Sequence, residues 1–181
     1  MTTIKIDVQD GGTEAALQAL AAKFQNAQPV LQGIGESMVE RIKHRFDTSS
    51  GPDGAAWQAN SATTLAMLAR RLGNSYRKKD GALNKKGVER LAVKKPLIGE
   101  SGDLRRQIVA VASGSELVVS ATPIYAAMQH FGGTTSPSSW IPNAKIPARP
   151  FMPIMQDGSL YPSEAAAIID ALNDYLVGPE S

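Results

Sequence analysis

The stretch Ile108-Val109-Ala110-Val111-Ala112-Ser113-Gly114-Ser115-Glu116-Leu117-Val118-Val119 sets the fold class. Two short runs rich in β-branched and apolar residues flank Ser113-Gly114-Ser115, which is the composition of a β-hairpin. One other segment reads as strand: Ile4, Ile6 and Val8 alternate with Lys5 and Asp7 until Gly11-Gly12. The remaining periodic segments are helical, and a few strands among several helices predict α+β, a small antiparallel sheet packed against helices.

Outward from the hairpin, a helix from Glu14 to about Ala27, capped by Thr13, carries the stripe Ala16, Leu17, Leu20, Ala21 and Phe24. A second helix from about Val30 to Phe46 buries Leu31, Ile34, Met38 and Ile42, with Gly33 and Gly35 weakening its first turn. Pro52-Asp53-Gly54 is a turn with a mechanism, a preset φ followed by a residue free to take positive φ, and Trp57 anchors it. Ser61 caps a short helix to Arg71, and Ser101 or Asp103 caps a brief turn. Pro123 to His130 is another short helix, and Pro162-Ser163 opens a last one that Gly178-Pro179 stops. Residues 1–181 read as one domain from which two long loops project. One is a basic loop or arm over 70–95, with weak helix near Val88 to Leu91. The other is a proline-braced loop over 133–151.

Composition narrows the class of function. Zero cysteines exclude disulfides and thiolate metal sites. His44 and His130, the only two histidines, fall on different predicted elements, so neither a metal nor another cofactor is expected. No apolar run approaches the ~20 residues that cross a bilayer, and Met1-Thr2-Thr3-Ile4 does not begin a signal peptide. The expectation is a soluble, unexported protein. The sum of charges is only +2, but ten basic residues stand against Asp80 and Glu89 between Arg70 and Lys95, a local +8 on an otherwise acidic chain. Arg70, Arg71, Arg77, Lys78, Lys79, Lys85, Lys86, Arg90, Lys94 and Lys95 are therefore either a solvated charge run or a surface for phosphates or an acidic partner. Tyr76 beside them adds one stacking group.

The densest cluster of unusual residues runs from Tyr125 to Phe151. Tyr125 and Phe131 lead into Gly132-Gly133, and after a polar loop Arg149 is held between Pro147 and Pro150, next to Phe151. Each proline fixes its own φ and pushes its predecessor toward extended geometry, so Arg149 is expected on a stiff arm that reaches a neighbour. Tyr125 and Phe131 are equally readable as core, and Gly132-Gly133 as a backbone turn. His130 has an imidazole suited to acid–base work near neutrality, but no predicted partner, and is more simply a hydrogen-bonding loop residue. Asp103 and Glu100 are close in sequence without a cleft to pair them, and no nucleophile elbow, P-loop or dinucleotide turn occurs.

These residues resemble the phage virion-morphogenesis or tail-completion proteins of Mu-like tailed phages. The resemblance rests on Tyr125-Ala126 followed by Phe131-Gly132-Gly133, and on Ile146-Pro147-Ala148-Arg149-Pro150-Phe151. Upstream it is carried by Ser101-Gly102-Asp103-Leu104-Arg105, Arg45-Phe46 and Pro52-Asp53-Gly54-Ala55-Ala56-Trp57. The family more often has His-Gln before its Phe-Gly-Gly, where this chain has Gln129-His130. The resemblance implies a structural virion protein, not an enzyme, acting at tail completion or the head–tail joint as a six-fold ring. Its partners would be neck, connector or tail-tube proteins, with non-specific duplex DNA in the channel, and its location the virion after assembly in the host cytoplasm. It also implies that Tyr125, His130, Phe131, Gly132, Gly133, Pro147, Arg149, Pro150 and Phe151 form subunit or partner contacts. Two other classes stay open: a sequence-independent DNA-binding morphogenesis factor absent from the finished particle, and a small hydrolase.

Overall fold

Glycine at position 35 is what lets the sheet lie against a helix. The computed structural model describes residues 12–99, 101–139 and 141–178. In it α1 (Thr13–Gln25) is followed by the long α2 (Gln28–Thr48), then α3 (Ala62–Arg71), α4 (Lys85–Ala92) and the single turn α5 (Asp103–Arg106). The hairpin β1 (Ile108–Ser113) and β2 (Glu116–Ala121) comes next, then α6 (Ala126–Phe131), the two-residue strands β3 (Gly133–Thr134) and β4 (Lys145–Ile146), and α7 (Pro162–Val177). The class is α+β, as expected. The expected strand over Ile4–Val8 lies outside the described residues, as do Glu100 and Pro179.

The hairpin is antiparallel, with Val111 opposite Val118 and Ser113 opposite Glu116. Its inner face, Ile108, Ala110, Leu117 and Val119, lies on α2. A Cβ on Gly35 would sit 2.8 Å from Leu117 Cδ1 and 2.9 Å from Ala110 Cβ, closer than packed side chains approach. Gly33 and Gly35 therefore fall within α2, two residues longer at its C-terminal end than the periodicity suggested, and Gly35 is repaid by sheet contact. α7 runs along another flank of α2, so the subunit is layered as hairpin, α2, α7.

The core cluster sits at the C-terminal half of α2: Ile42, Phe46, Trp57, Leu104, Ile108, Ala126 and Phe151. Ser61 caps α3 through its Oγ, which accepts from Thr64 N at 3.2 Å, whereas α5 is preceded by Gly102 in the left-handed region (φ 65°) with no side-chain cap. Ser101 and Asp103 bond each other instead.

Three expectations are corrected. The stripe of α1 is not buried: Leu17 and Phe24 are exposed and Leu20 is half-buried, while the end of the helix is tied down by Lys23 Nζ donating to Leu176 O (2.8 Å) and Tyr175 Oη donating to Asn26 O (2.9 Å). The 70–95 segment is no extended arm. It folds back as the end of α3, a 3-10 turn at Asn74–Tyr76, a bridge between Arg77 and Leu83, and α4, whose start Asn84 caps by accepting from Gly87 N at 3.0 Å. Finally, the 133–151 loop is clamped at its base, Gly133 pairing with Ile146 and Thr134 with Lys145, and its last residues pass into the core.

Candidate functional site

The residues singled out by sequence converge, but inward. Phe151 is fully buried at 0% exposure, its ring 5.4 Å from that of Phe46 and 5.2 Å from the imidazole of His130. Trp57 closes the far side of Phe46 edge-on at 5.4 Å. Such aromatic pairs contribute on the order of 0.5–1.5 kcal/mol each beyond the area they bury. The Pro52-Asp53-Gly54 turn delivers Trp57 here, with Ala55 N donating to Asp53 Oδ1 (3.0 Å), and the indole N–H donates to Pro150 O at 2.9 Å.

The backbone of Phe151 is gripped from both sides. Its carbonyl accepts from Arg45 Nη1 at 2.6 Å, and its N–H donates to His130 Nδ1 at 3.0 Å, with Met152 N donating to the same nitrogen at 3.2 Å. Since Nδ1 accepts twice, the proton sits on Nε2, which donates to Ile154 O at 3.0 Å. Burial, the largest influence, pushes the imidazole below its ordinary pKa. The Ile154 carbonyl pulls it back, and the charge of Arg45 pushes further down. His130 is a neutral structural hub with neither ring nitrogen free to exchange a proton with a substrate.

Arg45 itself is buried and pairs with Glu164 in the first turn of α7; Glu164 also accepts from Arg41 Nε (3.1 Å) and Nη2 (2.9 Å). Burial pulls the Arg45 guanidinium below its ordinary pKa, with Glu164 opposing. α7 is thereby bolted to α2 at the point where Phe151 enters the core. Sequence reasoning recognised Arg45 as a landmark but missed Glu164. An acid after Pro162 reads as an ordinary first-turn residue, and its partners lie 119 and 123 positions away.

Arg149 is also spent inside the subunit. It is buried, with Nε donating to Gln58 O at 2.8 Å, Nη2 to Ala59 O at 3.1 Å, and its backbone N–H to Gln129 O at 3.0 Å. The expectation of a projecting arm carrying Arg149 and Phe151 is thus corrected: the two prolines stiffen a strap that returns through the core. Pro147 and Pro150 are half-buried along it. Gly132 is required where the strap passes, because at φ 74° a Cβ would meet Ala148 N at 2.7 Å and Ile146 O at 2.9 Å. Gly133 (φ 145°) is pressed less tightly, its nearest neighbour being Met128 Sδ at 3.0 Å.

What stays at the surface is different. Tyr125 and Phe131 are exposed, and so is Ile124, fully, which sequence reasoning passed over. Val109, Val111 and Val118 leave the outer face of the hairpin bare and apolar. Strand alternation could have flagged that face, since apolar residues occupy both parities of β1 (Ile108 and Ala110, Val109 and Val111) and of β2 (Val118, Val119). Of the ten cations in 70–95, three are engaged within the subunit. Arg77 donates to Ala69 O (2.7 Å), Gly81 O (2.9 Å) and Leu72 O (3.3 Å), Lys94 to Ile98 O, and Lys95 to Asp47 O (2.6 Å). Arg70, Arg71, Lys78, Lys79, Lys85, Lys86 and Arg90 are exposed and make no ion pair among the described residues.

Asp103 is held below the usual carboxylate range by the Ser101 hydroxyl and then by Arg106, both of which donate to it. Among the described residues no three His, Asp or Glu side chains gather to hold a metal, and no helix is long and apolar enough to cross a membrane. A sequence model of the phage virion morphogenesis family matches residues 8–176. No curated protein and no solved structure matches the chain.

Proposed function

The chain belongs to the phage virion morphogenesis family, which gives it a part in building a phage particle, and from that premise we propose that it is a structural protein of the neck or tail end. It completes the tail or joins it to the head as a ring of identical subunits, six-fold in our reading, stacked on neighbouring connector or tail-tube proteins. The observation that carries the assembly reading is the bare hairpin face. The hairpin's other face is packed on α2, yet Val109, Val111 and Val118 stay exposed within the subunit, an apolar patch of the kind that marks a contact surface. An adjoining subunit that covers them would complete the sandwich. Tyr125, Phe131 and Ile124 are the further contacts we assign to partners. Gly132, Gly133, His130, Pro147, Arg149, Pro150 and Phe151 act on the interface only indirectly, by fixing the shape of the strap beneath it.

Quantitative mass spectrometry of purified particles tests this, with imaging of the neck to place the density. Stoichiometric recovery of the chain in a ring at the neck or tail end is expected. Its absence from particles that nevertheless require it for assembly would sink the structural reading and favour the packaging-factor alternative. A second reading, that the basic segment faces DNA, is favoured by the seven exposed cations that make no ion pair among the described residues. If ~6 of them met phosphates, affinity for random-sequence duplex would fall ~10³-fold between 50 and 200 mM salt. Changing Lys78, Lys79, Lys85 and Lys86 to Gln should flatten that response, and a salt-insensitive result would remove DNA from the account.

A further inference from the structure

The module formed by α3, the 3-10 turn and α4 does not complete its own core. No residue of α3 is buried, and between α3 and α4 lies a groove of about 530 Å³ with Leu68, Leu72 and Val93 in its wall. Arg71 and Arg90 line the same groove, exposed and without an ion pair among the described residues. Phosphates would suit the cations but not the leucines. The chemistry calls for a helix that is apolar along one stripe and acidic beside it.

The chain carries such a helix. On α7 Ile169 (56% exposed), at the rim of a cleft it shares with Phe24 and Val30, and Val177 (79% exposed) are left bare, about 80° apart around the helix, with the exposed Asp170 and Asp174 beside them. Neither aspartate makes an ion pair among the described residues. In its own subunit α7 is committed to α2 through Glu164. We propose that the outer face of α7 seats in the α3–α4 groove of the next copy of this chain, Ile169 and Val177 on Leu68, Leu72 and Val93, and Asp170 and Asp174 paired with Arg71 and Arg90. The contact joins two different surfaces, so it is head-to-tail, the kind that closes into a ring when the rotation per subunit divides the circle. It deepens the ring reading and rests on it.

The absence of native cysteines makes the test clean. A Val93→Cys/Val177→Cys chain is supplied to phage lacking the native one, and assembled particles are treated with a short bismaleimide. A ladder of covalent multimers is expected, with none from either single-cysteine chain. In parallel, Arg71→Glu/Arg90→Glu and Asp170→Arg/Asp174→Arg should each cut particle yield at least tenfold while leaving the melting temperature of the free subunit unchanged, and their combination should restore it. No ladder from particles that contain the chain in several copies overturns the groove contact and leaves the ring reading standing. Particles that lack the chain overturn both. Loss of yield in the Arg71→Glu/Arg90→Glu chain that the combined reversal fails to restore gives the groove to DNA or to an acidic partner of another sequence, and likewise overturns the contact.

Discussion

Replacing Glu164 by Gln probes the bolt between α7 and the strap. The Arg45 and Glu164 side chains are only 7% and 5% exposed, so their pair is a buried one, whereas Arg41 at 34% is screened by solvent and adds little. Removing one charge of a buried pair costs about 3–5 kcal/mol, because the remaining charge keeps its desolvation penalty and loses its counter-ion. Here the orphan would be Arg45, left with the Phe151 carbonyl at 2.6 Å. For a chain of this size that loss lowers the melting temperature by about 6–20 °C, the lower end applying because the Gln amide oxygen can still accept. Urea denaturation followed by far-UV circular dichroism measures it. The control is Arg45→Met/Glu164→Leu, which removes the buried pair and orphans the buried Phe151 carbonyl, at about 1–3 kcal/mol, while Arg41 loses its carboxylate but keeps Ser37 Oγ and solvent. A Glu164→Gln chain within ~1 kcal/mol of the parent, or a double substitution costlier than the single, would refute the assignment of a desolvated pair.

Other outcomes follow from the same geometry. Because the folded-state pKa of His130 lies below its ordinary value, its share of stability is complete above the unfolded imidazole pKa of ~6.5 and is lost as pH falls below it, by at most ~1.4 kcal/mol per pH unit. Denaturation midpoints measured from pH 7.5 to 5 should show this slope, and His130→Asn should be less stable but flatter. Arg149→Ala should cost about 2–4 kcal/mol in folding as well as assembly, since two charge-assisted bonds to Gln58 O and Ala59 O disappear; a normally melting but assembly-dead subunit would contradict the internal role. Gly132→Ala should cost upward of ~2 kcal/mol, because the Cβ collides with backbone as well as adopting a strained φ, whereas Gly114→Ala, with open space around it, should cost only about 1 kcal/mol. Equal penalties in a thermal-melt comparison would show that the strap does not press on Gly132.

Local patterns carried the class and most helix bounds into view. The hairpin, the Ser61 cap and the Pro162 helix start were legible because each is decided by residues within about five positions of one another. What was hidden depends on long-range partners. Leu17 and Phe24 look like a buried stripe by periodicity, and periodicity states only that a helix has an apolar side, not that the same subunit covers it. Arg149 between two prolines looks like an arm because the two carbonyls it satisfies, Gln58 and Ala59, carry no side-chain signature at all. The 70–95 segment reads as unstructured because a charge-rich helix of eight residues such as α4 is marginal alone and is held by its cap and by contact with α3.

The placement of the residues gathered around Phe151 bears on where specificity resides. Arg45-Phe46, Trp57, His130, Gly132, Arg149 and Phe151 all meet at one internal joint, so a substitution there perturbs folding before it perturbs any partner. A buried guanidinium, a doubly accepting imidazole and a glycine without room for a methyl tolerate few alternatives. On the assembly role proposed above, partner choice would be written elsewhere, on surfaces whose residues are free to change without unfolding the subunit. The candidates are the valine face of the hairpin, Ile124 with Tyr125 and Phe131, and the basic groove between α3 and α4. That division predicts opposite signatures: variants at the joint lose melting temperature and assembly together, while variants on these surfaces lose assembly alone.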